Sequence, residues 1–179
     1  MTPGGEPVRD RAWPIAGSAM FFLVAPATVA GWVPYAISGW RFGSPFVAPA
    51  ERVVGGILVL IAVAALIECF ARFAFVGRGT PAPILPTESL VVSGLYRHTR
   101  NPMYVAVVAA IAGQALLFSQ PLLLAYAGAM WLIFHLFVIG FEEPTLERQF
   151  TGYQEYCAQV PRWLPRIRPW RPTSSRLVR

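Results

Sequence analysis

The chain has 179 residues, 55% of them hydrophobic and only 13% charged, where a soluble domain carries about a quarter charged residues. That excludes an ordinary soluble domain and fits one small polytopic membrane domain. The net charge is +6 and every basic residue is an arginine; the arginines flank apolar runs instead of forming one patch, which points to membrane topology and anionic headgroups and away from nucleic acid.

Residues 1–12 are polar and carry Arg9 and Arg11. Trp13 to Val33 is a long apolar run, read as a retained first membrane helix: it is too long for a signal h-region, and more membrane follows. Residues 34–50 are rich in Pro, Gly and aromatics, and Trp32, Tyr35, Trp40 and Phe42 suit an interfacial belt. Val53 to Val76 is a second helix, long enough to cross roughly 30 Å of hydrocarbon. It carries Glu68 and, one turn later on the same face, Arg72. The Pro-rich linker 77–93 ends in the apolar Leu90-Val91-Val92. Next comes Gly94–Tyr104, polar, cationic and aromatic. Its Asn101 is expected to cap a third helix that has Pro102 at the first helical position and runs to about Phe118. At roughly 25 Å this helix is short and predicts a tilt or a stop below the far interface.

Ser119-Gln120-Pro121 breaks the run, and Leu122 to Phe141 reads as a fourth helix, closed by Glu142-Glu143-Pro144. Leu146, Phe150, Tyr153 and Cys157 then follow helical spacing and predict a surface helix. The basic tail beyond Pro165 is expected to be poorly ordered. Thirteen arginines fall on the side of the two termini and of Gly94–Tyr104, and only Arg41 and Arg52 on the other. This predicts both termini in the cytoplasm. The expected fold is therefore an all-α membrane protein of about four transmembrane helices with a cytoplasmic C-terminal helical segment. It divides into residues 1–76, with helices one and two, and residues 77–179, with the remainder. No internal repeat suggests a transporter of inverted halves.

Several polar residues could carry chemistry. Arg97 and Arg100 before the helix mouth at Asn101-Pro102 offer forked donors to a carboxylate or phosphate, with Tyr104 one turn in; the same arginines could equally anchor the loop to headgroups. Glu142 and Glu143 could hold ribose hydroxyls or a cation, or could favour a helix start at Pro144. Glu68 is an intramembrane carboxylate with Arg72 as its expected partner. His135 suits an interhelical hydrogen bond, and both Glu68 and His135 are candidate substrate contacts. Cys69 and Cys157 form no disulfide framework, and the scattered His98 and His135 no metal site. Without G-x-G-x-x-G, P-loop or G-x-S-x-G, any nucleotide-like cofactor binds outside a Rossmann unit.

Three blocks occur in order: Gly94-x-Tyr96-x3-Arg100-Asn101-Pro102-x-Tyr104, then Glu142-Glu143-x2-Leu146-x3-Phe150, then Tyr153-x2-Tyr156-x3-Val160-Pro161-x3-Pro165. Over about residues 77–165 the chain resembles the isoprenylcysteine carboxyl methyltransferase family, which includes phospholipid methyltransferase-like bacterial proteins. The resemblance implies an integral membrane methyltransferase that uses S-adenosylmethionine, bound at the cytoplasmic face of a bacterial inner membrane under the C-terminal segment. By motif, Glu88, Ser89, Leu90, Val91, Tyr96, Asn101, Pro102, Met103, Tyr104, Glu142 and Glu143 would line the cofactor. Arg100 and Glu142 would serve the methyl-transfer centre. The acceptor would be a lipophilic or membrane-accessible carboxylate, thiol or amine, the other partners being membrane lipids, with no nucleic acid and no metal. Asn101 stands where the family usually carries His, Phe150 to Tyr153 is one residue shorter than usual, and Val138 stands where eukaryotic members carry a substrate-contacting Arg. Two rival readings are an NADPH-dependent membrane sterol or enone reductase, which shares an R-x-P-x-Y element, and a noncatalytic membrane subunit.

Overall fold

The structure is a computed structural model and describes residues 24–45, 50–72 and 90–171. These residues are helical, with no strand among them. Helix α1 spans 24–38, α2 Glu51–Arg72, α3 Pro102–Leu117, α4 Pro121–Gln149 and α5 Tyr153–Gln159, with a single 3-10 turn at Gly94–Arg97 before α3. Two of these, α2 and α4, are long and apolar enough to cross a membrane, while α3 is apolar but shorter. Only 22% and 17% of their most apolar windows are buried within the protein. A soluble core helix would be mostly covered, so these faces are built to meet lipid. Of the four spans expected, most of the first lies outside the described residues. Its described part continues past Val33 to Ser38. The expected division at 76/77 and the end of the second helix also fall outside them.

Pro34 shapes α1. It has no N–H for Ala30 O four residues back, and the Val33 N–H goes to Thr28 O, five residues back, in a π-helical stretch at Thr28–Trp32. Carbonyls vacated in this way need other donors. Gln114 Nε2 of α3 donates to Ala30 O at 2.6 Å, and the Tyr126 hydroxyl of α4 donates to Val29 O at 3.0 Å. The irregularity in α1 thus becomes the joint that ties it to α3 and α4.

Helices α2 and α3 pack backbone to backbone. A Cβ on Gly55 would overlap Leu117 N and lie 2.6 Å from Gly113 O, and one on Gly113 would lie 3.0 Å from Gly55 O. Small residues at a crossing let helices approach this closely where no hydrophobic drive exists between them. Leu66, Ala106, Val107, Ile111 and Ala127 fill the interior beneath.

The second proline irregularity corrects the sequence reading. Glu142-Glu143-Pro144 does not end α4. The Glu143 N–H bonds to Val138 O, opening a π-helical stretch at Val138–Glu142, and the helix runs on to Gln149. A widened turn accommodates a proline that a tight α-helical ladder would reject. The expected surface helix from Leu146 through Cys157 is likewise two pieces. Phe150 is extended at the end of α4, and α5 starts afresh at Tyr153. Finally, the tail is not loose as far as Arg171: residues 160–171 lie as a strap across the start of α3, hydrogen-bonded to residues 97–101.

Candidate functional site

The motif stretch begins with a glycine that the geometry requires. Gly94 has φ +59, and a Cβ there would overlap Glu68 Oε1 and lie 2.8 Å from Arg72 Nε. Both a left-handed backbone and a close approach therefore exclude a side chain. Glu68 and Arg72 form the expected ion pair at 2.9 Å, while Glu68 Oε2 and Ser93 Oγ are buried without a partner. Gly94→Ala is expected to cost about 1–3 kcal/mol through backbone strain alone, read as a lower unfolding temperature in detergent. The double variant Gly94→Ala/Glu68→Ala should recover the steric part. Beneath the turn, Val91, Cys69 and Tyr96 form a small core. Burial, and after it the neighbouring Cys69, push the Tyr96 phenol well above its usual pKa, so it serves as a neutral packing group.

The strap binds this stretch almost residue by residue. Arg166 N–H donates to His98 O and Trp170 N–H to Arg97 O, both at 2.9 Å. Arg97 Nε donates to Trp170 O at 2.5 Å. His98 Nδ1 lies 2.7 Å from Arg166 O. The Thr99 hydroxyl and Asn101 Nδ2 both donate to Arg162 O, at 3.0 and 3.1 Å, and Arg100 N–H donates to Pro161 O at 2.9 Å. From α5, the Tyr156 hydroxyl donates to Tyr96 O at 2.6 Å, and burial raises its pKa. Leu90 and Val92 pack with Tyr153, Tyr156, Val160 and Trp170.

Two expectations change here. Asn101 occupies the N-cap position before Pro102, but its side chain makes no capping bond and holds the strap instead. Arg97 turns at least its Nε to the strap, where the Trp170 carbonyl accepts it, and not outward.

Two contacts join the start of α3 to the π-helical stretch of α4. The Tyr104 hydroxyl donates to Glu142 Oε2 at 2.9 Å, with the Tyr104 ring stacked on Phe134 at 4.7 Å. Arg100 Nη1 lies 3.0 Å from Glu143 Oε1 and donates to Cys157 Sγ at 2.7 Å, while Arg100 Nε is buried with no partner. Arg162 of the strap grips Glu143 with both arms of its fork, at 2.7 and 2.8 Å. That bond holds the Arg162 pKa above its usual value. The adjacent carboxylates thus differ: Glu143 is saturated by two guanidiniums, whereas Glu142 has a phenol and, among the described residues, no ion-pair partner.

Of the other expected site residues, Leu90 and Val91 pack beneath the strap and the 3-10 turn. Met103 lies against the cores on both sides of it, and Glu88 and Ser89 fall outside the described residues. Glu68 belongs to the Gly94 turn and not to the Glu142 cluster. His135 is bonded, but to the strap: Trp163 Nε1 donates to its Nδ1 at 3.0 Å, and Trp131 stacks on it at 5.1 Å. The sequence reading missed Arg162, Trp163 and Thr99. The one available signal was the Val160-Pro161-x3-Pro165 spacing, which marks an extended segment without naming its partner.

A family model described as phospholipid methyltransferase matches residues 50–152. The chain belongs to that family. This bears out the motif-based resemblance, and with the two apolar spans it makes the chain a membrane protein of a methyltransferase family. The nickel-cobalt-cadmium resistance protein NccN of Alcaligenes xylosoxydans xylosoxydans is 29% identical over 92 residues, covering 51% of this chain and 43% of that protein. The chain thus spans less than half the length of that relative. No solved structure matches.

Proposed function

We propose that the chain is an integral membrane methyltransferase that uses S-adenosylmethionine to methylate a lipophilic acceptor at the cytoplasmic end of its helices. The observation that carries the reading is the Tyr104–Glu142 contact at 2.9 Å. It brings the first two motif blocks together at a π-helical stretch, a feature often found at functional sites. The residues present suit this cofactor. Glu142 is a carboxylate with no cationic partner among the described residues, Tyr104 and Phe134 give a ring surface, and Arg100 holds a buried Nε with no partner that suits a carboxylate.

S-adenosylmethionine, when bound, supplies a methyl group on an already activated sulfonium. The protein's part is then chiefly to position and to exclude water. Tyr104 fixes one oxygen of Glu142 and so orients its charge toward a cation. Glu143 and Cys157 hold the Arg100 guanidinium in place. The strap covers the start of α3 and keeps water out. A carboxylate or thiolate acceptor needs no general base here. Val138, at the position where eukaryotic relatives carry a substrate-contacting Arg, is buried in the packed interior, which argues against a prenylcysteine carboxylate as the acceptor.

Calorimetry of the purified chain in detergent tests the reading. S-adenosylmethionine should bind and NADPH should not. Binding of NADPH alone would reverse the order in favour of a reductase, and binding of neither would favour a noncatalytic subunit.

A further inference from the structure

One face of the strap is committed to the site, and the other is not. Leu164 is 81% exposed and Ile167 96%, although each directly follows a residue that binds inward, Trp163 and Arg166. Arg168 and Arg171 are also exposed. The depth of this segment is set by its neighbour Trp163, whose ring lies 6.2 Å from Trp131 and 5.8 Å from His135. His135 precedes Glu142 by seven residues, about 10 Å along a helix. Leu164 therefore sits beside a part of α4 whose Trp131, Leu132 and Leu136 are themselves exposed and apolar. Two bare aliphatic side chains, one of them adjoining the Trp163 that packs on a lipid-facing helix, with two exposed arginines in the same segment, match the composition of an interfacial membrane anchor.

We propose that residues 160–171 dock on the membrane leaflet at the Glu142 end of the bundle. Leu164 and Ile167 enter the headgroup–acyl boundary, and Arg168 and Arg171 lie on anionic headgroups. The occupant is an anionic lipid surface: aliphatic side chains alone would fit another protein as well, but arginines beside a spanning helix attract a negatively charged leaflet. The proposal rests on the chain crossing a membrane and not on the reaction it catalyses. Because the same segment grips His98, Thr99, Asn101, Glu143 and His135, the lipid surface becomes the outer support of the site's cover.

The full chain in nanodiscs of phosphatidylcholine, with or without phosphatidylglycerol, tests this by amide hydrogen exchange over 160–171. Exchange should slow in the anionic discs, and added salt should reverse the slowing. Arg168→Gln and Arg171→Gln should each remove about fivefold of the anionic preference. Leu164→Ser/Ile167→Ser should speed exchange in both kinds of disc while the protection of α2 and α4 stays unchanged, which separates lost docking from lost folding. Equal exchange in neutral and anionic discs would overturn the proposal. So would protection that instead grows with protein concentration in detergent, which would make a second copy the occupant. S-adenosylmethionine binding in detergent is independent of these outcomes, so failure here and failure of the functional reading are distinguishable.

Discussion

Glu142→Ala is expected to weaken S-adenosylmethionine binding by about ten- to a hundredfold, because an interaction with a charged group contributes about 1.5–3 kcal/mol. The same variant should leave the unfolding temperature nearly unchanged. A half-buried carboxylate with no cation costs free energy to fold, and Glu142 has only the Tyr104 hydroxyl, at 2.9 Å, among the described residues. Deleting it removes a desolvation cost together with a single bond. Glu142→Gln keeps the shape and the hydrogen bond while losing the charge, so it should bind nearly as weakly as alanine if a bound cation is what Glu142 serves. Tyr104→Phe should cost less, about tenfold at most, since it releases the carboxylate without removing it. The readout is calorimetry on detergent-purified protein beside thermal unfolding of the same samples. Wild-type affinity in Glu142→Ala would remove Glu142 from the site.

Much of the architecture was legible because a bilayer leaves few choices. Apolar runs of the right length give the helices, and Pro102 stands at a helix start as its missing N–H predicts, while Pro121, read as part of a break, is itself the first residue of α4. The Glu68–Arg72 pair followed from i,i+4 spacing alone. What failed has a common cause in backbone groups whose partners are distant in sequence. Pro144 looks like a helix stop locally, yet the helix continues because Glu143 N–H can reach Val138 O. Asn101 looks like a cap locally, yet the Arg162 carbonyl, 61 residues on, takes its side chain. The tail looks like a disordered basic end, and its order depends on carbonyls and N–H groups of 97–101, which no composition reveals. At the candidate site, the resemblance already favoured Glu142 over Glu143 for the methyl-transfer centre, but nothing in the sequence showed why the two carboxylates should differ physically. That distinction depends on Arg162, a residue that seemed only to add to the net charge.

Glu143→Ala should show the opposite pattern to Glu142→Ala, a large loss of stability in which binding falls as a consequence. Glu143 carries Arg100 at 3.0 Å and Arg162 at 2.7 Å. The Arg100 side chain is only 12% exposed and its Nε already lacks a partner, so removing the carboxylate leaves a nearly buried cation with only the Cys157 sulfur. Breaking a buried pair from one side costs about 3–5 kcal/mol. The low end applies here, because Arg162 is about a third exposed and can turn to water. Arg162→Ala should cost only about 1 kcal/mol, since Glu143 keeps Arg100. Its signature should be local: faster amide exchange across 160–171 with the protection of α2 and α4 intact. Arg100→Met in the Glu143→Ala background should recover stability without recovering binding, because it removes the stranded charge and the candidate ligand contact together. If Glu143→Ala instead unfolds like wild type and loses only affinity, the two arginines are not its main burden and the roles of the adjacent glutamates must be exchanged.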